Sequence, residues 1–329
     1  MLWQFTKKIL FSLPPELAHV LSLNSLKILY QLNLINKKYA EPKTIMGLKF
    51  PNPIGLAAGL DKNGDYIDAL GACGFGFIEV GTVTPRPQSG NSTPRLFRLP
   101  EHRAIVNRMG FNNKGVDHLV ERLKKRKYAG VVGANIGKNF DTPIEQAVSD
   151  YVFCFQKVAS YADYVTLNIS SPNTKNLRDL QQPELLENLL RTLKDEQKIF
   201  FTQHQKYVPL VVKVSPDLTQ DEIEPMASIF IQTEIDGVIA TNTTNQFATI
   251  SNETGGLSGE PLREKSSQVL REFKKLLGDK MPLIGCGGIF SKEDMDAKYQ
   301  NGASLVQVYT GLIYQGPAIV AALSERKMC

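Results

Sequence analysis

Apolar residues recur along this 329-residue chain in short, near-continuous runs separated by longer amphipathic stretches. Eight runs stand out, at residues 53–58, 75–80, 131–136, 164–169, 209–214, 237–240, 283–286 and 305–309. They are too short for helices, and their lack of alternation reads as strands buried on both faces, as in a parallel sheet. Helical periodicity occupies 115–127, 144–160, 183–205, 221–232, 263–277, 291–300 and 316–326, with a shorter candidate at 64–73. Eight strand–helix units predict an α/β fold, a closed (β/α)8 TIM barrel. A doubly wound sheet would want GxGxxG after its first strand. The first run is followed instead by Gly59-Leu60-Asp61-Lys62-Asn63-Gly64. Two long insertions, 82–112 and 243–262, are expected over the catalytic mouth.

Ahead of the barrel domain (39–329), residues 1–38 read as a small helical extension of two helices, about 2–12 and 14–34. Their apolar residues, among them Trp3, Phe5, Phe11, Leu17, Val20, Leu21, Leu26, Ile28, Leu29 and Leu32, exceed what a small hairpin buries by itself. Two readings stand: the pair packs on the barrel, or it is a monotopic membrane anchor with an apolar face in the acyl boundary. Pro14, Pro15, Glu16, His19 and Lys27 interrupt any spanning window, and no small-residue cleavage site follows the apolar stretch.

Charge sharpens this division. The net charge is +5, of which residues 1–38 hold +4, from Lys7, Lys8, Lys27, Lys37 and Lys38 against Glu16. The remaining +1 argues against a nucleic-acid groove. The four cysteines, Cys73, Cys154, Cys286 and Cys329, form no CxxC, and the four histidines form no HExxH. They read as reduced, mostly buried thiols of a cytosolic protein, with no metal site.

Candidate chemistry gathers at the strand ends. The fourth run delivers Asn168-Ile169-Ser170-Ser171-Pro172-Asn173-Thr174. Two amides that donate and accept suit a planar ring with N–H and C=O edges, and a serine between them can carry a proton. The plainer reading is a polar turn. Lys62 and Lys213 end apolar strands and point toward one space, although strand-end lysines often serve as surface ion-pair partners. Gly287-Gly288 after the seventh run and Thr310-Gly311 after the eighth occupy the phosphate position of barrels. A lysine beside a flavin would offset the charge that reduction places near N1 and O2, and FMN carries one phosphate.

Together these segments resemble the dihydroorotate dehydrogenase family, in its class 2, quinone-dependent branch, over essentially the whole chain. The matching stretches include Gly55 to Gly64, Glu79 to Gln88, Asn107-Arg108-Met109-Gly110-Phe111-Asn112-Asn113, Asn168 to Thr174, Ala240 to Thr244, Gly255 to Gly259, Ile284 to Ile289 and Tyr309-Thr310-Gly311. The resemblance implies oxidation of (S)-dihydroorotate to orotate in pyrimidine biosynthesis, with hydride passing to FMN and electrons to a membrane quinone. It implies Ser171 as the base, where class 1 enzymes place a cysteine, assisted by Lys62. It assigns FMN to Ala58, Lys62, Thr82, Asn135, Asn168, Lys213, Thr241, Gly259, Gly288, Tyr309 and Thr310. It assigns the substrate to Lys62, Asn107, Arg108, Met109, Gly110, Phe111, Asn168, Asn173, Asn242 and Thr243. A quinone tunnel between the two N-terminal helices would end near His19, Arg98 and Tyr309; an interfacial core role for His19 is the alternative. The resemblance favours peripheral attachment through residues 1–38, on the cytoplasmic side of a bacterial inner membrane. Rival readings are a soluble class 1-like enzyme using fumarate or NAD, a phosphate-binding barrel without flavin, and a membrane-bound scaffold.

Overall fold

The structure, a computed structural model, describes residues 2–324. Eight parallel strands close into a barrel: β1 Ile54–Leu56, β2 Phe77–Val83, β3 Val131–Ile136, β4 Tyr164–Asn168, β5 Leu210–Val214, β6 Gly237–Ala240, β7 Leu283–Cys286 and β8 Ala303–Val308. Each strand pairs with its neighbour in sequence, and β8 closes on β1. The predicted TIM barrel is thus the observed fold. Helices α1 Leu2–Ser12 and α2 Pro15–Gln31 precede it. The barrel carries α3 Ile67–Gly71, α4 Val116–Lys125, α5 Ala147–Val158, α6 Pro183–His204, α7 Gln220–Gln232, α8 Arg263–Leu277 and α9 Lys292–Gln300.

Some boundaries differ from the periodicity. β1 ends at Leu56, and β2 runs on to Val83, so Thr82 belongs to the strand itself. The helix expected from residue 316 begins only at α11 Ile319–Ser324, after Pro317, and an additional helix, α10 Thr310–Gln315, precedes it and stops at Gly316, whose φ is +75°. The end of that expected helix, and Cys329, lie outside the described residues. The other three cysteines are buried and free.

The lower barrel interior is filled by rings set against glycines. A Cβ on Gly55 would lie 2.2 Å from the Phe77 ring, and one on Gly133 would lie 2.1 Å from the Tyr164 ring. A small residue on one strand therefore receives the ring of the next. A hairpin of Lys43–Ile45 and Leu48–Phe50, which the sequence pattern did not reveal, packs on this layer. Its Phe50 meets Phe77 edge to face, with centroids 5.2 Å apart.

The two long insertions meet as a three-stranded antiparallel sheet in which Ala104–Asn107 lies between Leu96–Leu99 and Gly256–Gly259. This sheet carries α1 and α2. Arg98 donates to the Leu10 carbonyl at 2.8 Å and to the Leu13 carbonyl, closing the end of α1. Its guanidinium also lies over the Phe11 ring. Trp3 donates its indole N–H to the Tyr314 carbonyl.

Packing and exposure coexist in this helix pair. Ile9, Leu17, Val20, Leu21, Ile28, Leu29, Leu32 and Leu34 remain 39–66% exposed. Such a concentration exceeds the scattered apolar residues of an ordinary surface. Among the described residues, no helix is long and apolar enough to cross a membrane. Not all five lysines face outward. Lys7 lies over the Phe11 and Tyr314 rings and Lys27 over Tyr66, whereas Lys8, Lys37 and Lys38 are exposed.

Phe50→Ala leaves a void under the barrel and lowers unfolding free energy by about 3–5 kcal/mol. Chemical denaturation measures the loss, and a change under about 1 kcal/mol would mean that the hairpin does not close the core.

Candidate active site

A carboxylate lies at the centre of the barrel. Glu79 of β2 is fully buried and takes four donors. Asn135 Nδ2 reaches Oε1 at 2.7 Å; Tyr164 Oη, Thr166 Oγ1 and Gln307 Nε2 reach Oε2 at 3.0, 3.1 and 2.8 Å. A buried carboxylate persists only with such satisfaction. From it a hydrogen-bonded spine climbs to the mouth. Thr82 Oγ1 donates to Asn135 Oδ1 at 2.6 Å, Asn168 Nδ2 to Thr82 Oγ1 at 2.8 Å, and Asn242 Nδ2 to Asn168 Oδ1 at 3.1 Å. Every donor in the series points down toward Glu79, so the amide orientations are fixed in sequence.

The spine opens into a polar cavity. Its wall brings together Ala58, Lys62, Thr82, Asn168, Lys213, Thr241, Gly259, Gly288, Tyr309 and Thr310 of the predicted cofactor set. It also gathers Asn107, Met109, Gly110, Phe111, Ser171, Asn173, Asn242 and Thr243. Two expected residues are not in the wall. Asn135 lies beneath it, with both ends of its amide engaged by Thr82 and Glu79. Arg108 turns away to pair with Glu253 at 2.8 Å and lies over the Phe97 ring. Sequence reasoning missed Glu79 and Gln307. Glu79 had a signal: a carboxylate inside the apolar run Phe77-Ile78-Glu79-Val80 requires donors from neighbouring strands.

The two lysines differ in setting. Asp61 accepts the backbone N–H groups of Asp65 and Tyr66 at 3.0 and 2.7 Å, locking the turn that presents Lys62. Burial pushes the Asp61 carboxyl up to about 6. Lys62 donates to Asn112 Oδ1 at 2.8 Å. Burial, then the Arg95 charge, push its pKa down to about 8. Lys213 is buried, yet among the described residues its ammonium has no hydrogen-bond or ion-pair partner. It lines the cavity. A cation so placed awaits an anionic or strongly accepting ligand.

Other unpaired groups share the wall. Gln307 Oε1 is buried without a partner. Gly288 has φ +74°, and the N–H groups of Gly288 and Ile289 find no acceptor among the described residues. The first N–H groups of α10 beside them have no intrahelical partner either. Unpaired N–H groups beside a glycine turn suit a phosphate. Ser171 Oγ is buried and accepts the Asn173 N–H at 3.3 Å. Three residues on, the Thr174 hydroxyl is buried and unpartnered.

A second, apolar cavity of about 410 Å³ lies between the N-terminal helices and the barrel. Leu10, Phe11, Ala18, Leu23, Leu26, Leu60, Leu70 and Leu312 contribute to its wall, and His19, Arg98 and Tyr309 are among its polar members, with Thr6, Ser22 and Ser25. Tyr309 lines both cavities. Burial, then the Lys62 charge, push the His19 pKa down to about 4, so its imidazole is neutral. Burial raises the Tyr309 phenol to about 12, keeping it protonated.

Comparison with known proteins agrees with this arrangement. The family profile "Dihydroorotate dehydrogenase" matches residues 42–326. A relative named "Dihydroorotate dehydrogenase (quinone)" from Acinetobacter baylyi is 55% identical over 326 residues, 97% of this chain and 98% of its own. One of the same name from Cellvibrio japonicus is 53% identical, covering 98% of this chain and 96% of its own. The crystal structure of Eimeria tenella DHODH in complex with ferulenol superimposes with a TM-score of 0.87 at 36% identity, over 96% of this chain and 93% of that one. With most of its length matched by the profile and its relatives aligned end to end, the chain belongs to the dihydroorotate dehydrogenase family.

Proposed function

We propose that this protein oxidises dihydroorotate to orotate in pyrimidine biosynthesis and passes the electrons to a membrane quinone. One observation carries the reading: a polar cavity with two lysines and an apolar cavity against the membrane-type helices meet at Tyr309. Two half-reactions need two such environments, one for a charged pyrimidine and one for an apolar acceptor.

FMN is the group that fits between them, and when bound it supplies the two-electron acceptor that separates the half-reactions. Its phosphate suits the free N–H groups at Gly288, Ile289 and the start of α10. Lys213 and Gln307 Oε1 supply the unpaired cation and acceptor that its ring edge would satisfy. Ala58, Thr82, Asn168, Thr241, Gly259 and Tyr309 complete the cradle.

The chain's own residues then divide the substrate chemistry. Asn107, Asn168, Asn173 and Asn242 present amides to the edges of the pyrimidine ring. Ser171 Oγ removes the proton at C5. Serine is a weak base: its own hydroxyl proton must pass to solvent before or as its oxygen takes the C5 proton, and the Asn173 N–H and the Lys62 charge would stabilise the negative charge that the oxygen bears meanwhile. Asn135 acts from below, through Thr82, and Arg108 through the loop that it ties to Glu253.

Residues 1–38 form the quinone entry. Their exposed apolar face enters the acyl boundary of a bacterial inner membrane from the cytoplasmic side, with Lys8, Lys37 and Lys38 near the headgroups. The quinone tail occupies the apolar cavity, and its head lies near neutral His19, Arg98 and the Tyr309 phenol.

The purified protein should be yellow, and anaerobic dihydroorotate should bleach it; a protein that stays colourless after reconstitution with FMN overturns the cofactor assignment. Ser171→Ala should keep the colour and slow bleaching about 10²–10⁴-fold, and unchanged stopped-flow kinetics would remove the serine from its role. Deleting residues 1–38 should abolish decylubiquinone turnover and binding to anionic vesicles while costing orotate affinity far less. Fumarate supporting turnover better than decylubiquinone would favour a class 1-like enzyme instead.

A further inference from the structure

Arg95, just ahead of the mouth sheet, faces two ways. Its Nε and Nη2 each donate to the Glu16 carboxylate of α2 at 3.0 Å. Its Nη1 donates to the carbonyls of Ser89 at 2.6 Å and Asn91 at 2.9 Å. The Arg95 side chain is only 12% exposed, so its planar fork is fixed between helix and loop.

The connection continues inward. Asn91 Nδ2 donates to the Arg108 carbonyl at 2.9 Å and to the Asn173 carbonyl at 3.3 Å. Asn173 Nδ2 donates to the Asn107 carbonyl and side-chain oxygen at 3.0 and 3.1 Å. Packing leaves this loop little freedom: a Cβ on Gly110 would meet the Asn91 amide at 2.8 Å, and one on Gly90 would meet the Met109 carbonyl at 2.2 Å. Asn107 and Asn173 both line the polar cavity. An unbroken series of hydrogen bonds thus joins a helix that walls the apolar cavity to two asparagines of the polar one.

We propose that Glu16 and Arg95 are positioning residues for dihydroorotate: the seating of α2 sets the 89–91 loop, and that loop sets Asn173 and Asn107. The inference rests on the substrate reading above and extends it. The quinone helix becomes part of what makes the pyrimidine site. By linkage, pyrimidine binding favours the seated helix to the same extent that the seated helix favours pyrimidine binding.

The test uses the full-length, FMN-loaded protein and orotate, with affinity measured by calorimetry in the absence of quinone. Glu16→Gln should weaken orotate binding about threefold to tenfold, with FMN content and thermal midpoint unchanged. Arg95→Lys, which keeps the charge and loses the fork, should move affinity in the same direction. In a double-mutant cycle, Glu16→Gln with Asn91→Ala should bind little worse than the weaker single variant, because one series of contacts is broken twice. A helix that is merely loosened would raise the quinone KM and leave orotate affinity untouched. Orotate affinities within about twofold of wild type in both single variants, or additive losses in the cycle, overturn the coupling. Wild-type protein that fails to bind orotate overturns the substrate reading, and the coupling with it. Leu17→Ala, exposed on the same helix, should bind orotate as wild type does.

Discussion

The Glu79 carboxylate is the constraint on which the site depends. It is the acceptor at the foot of a hydrogen-bonded series, and its two oxygens are taken by four donors. Asn135 must therefore turn its N–H downward, which leaves its oxygen to Thr82 and orders Asn168 and Asn242 in turn. Amides ordinarily have two near-equivalent orientations, and a site built from asparagines would otherwise be ambiguous about which edge of a ring it accepts. One buried charge removes that ambiguity several residues away. The apolar ring layer below it, closed by Phe50 and the 43–50 hairpin, keeps water from competing for the carboxylate.

Above the spine the barrel separates two solvents. On one side lie amides, hydroxyls and two lysines; on the other, leucines of α1, α2 and the barrel. Tyr309 belongs to both walls. Arg98 holds this boundary by a contact that is structural as much as chemical. The hydrogen bonds that close α1 leave the guanidinium stacked on Phe11 at the cavity's edge. The helix pair is accordingly seated on the barrel along one face and unsatisfied along the other. The packing and membrane readings of its sequence are therefore compatible: each describes one side.

The barrel was legible because its strands are apolar on both faces, and a parallel strand's carboxyl end is where polar residues collect. That logic located Lys62, Asn168, Ser171, Lys213, Asn242 and the Gly287-Gly288 turn without reference to contacts. Asn135 also ends a strand, with its amide engaged by Thr82 and Glu79; strand-end position does not say which neighbour takes the side chain. Arg108 was assigned through the resemblance, and its pairing with Glu253, 145 residues away, is marked by no local pattern. The 43–50 hairpin has strands too short for periodicity, and the mouth sheet joins segments from separate insertions. Glu16 with Arg95, and Glu79 with Gln307, are 79 and 228 residues apart. No local pattern marks such pairs, although a lone carboxylate in an apolar strand does announce that donors must exist.

The charge arrangement suits the weak base proposed in Ser171. The mouth contains Lys62 and an unpaired Lys213, while the Glu79 carboxylate below is saturated by neutral donors. Neither lysine has an ion pair among the described residues, and Arg95 and Glu16 act on Lys62 in opposite senses, which leaves the cavity electropositive in a medium where water screens little. Holding the lysines there costs desolvation, which is why the Lys62 pKa falls to about 8. That cost would be recovered when an anionic pyrimidine enters and, in the role proposed for Ser171, as negative charge grows on its oxygen. A carboxylate beside Ser171 would make a stronger base in isolation, yet it would neutralise the lysines and repel the substrate's own carboxylate. In the proposed step, a hydroxyl in an electropositive pocket would keep attraction for the substrate and stabilisation of negative charge on the serine oxygen in the same two side chains.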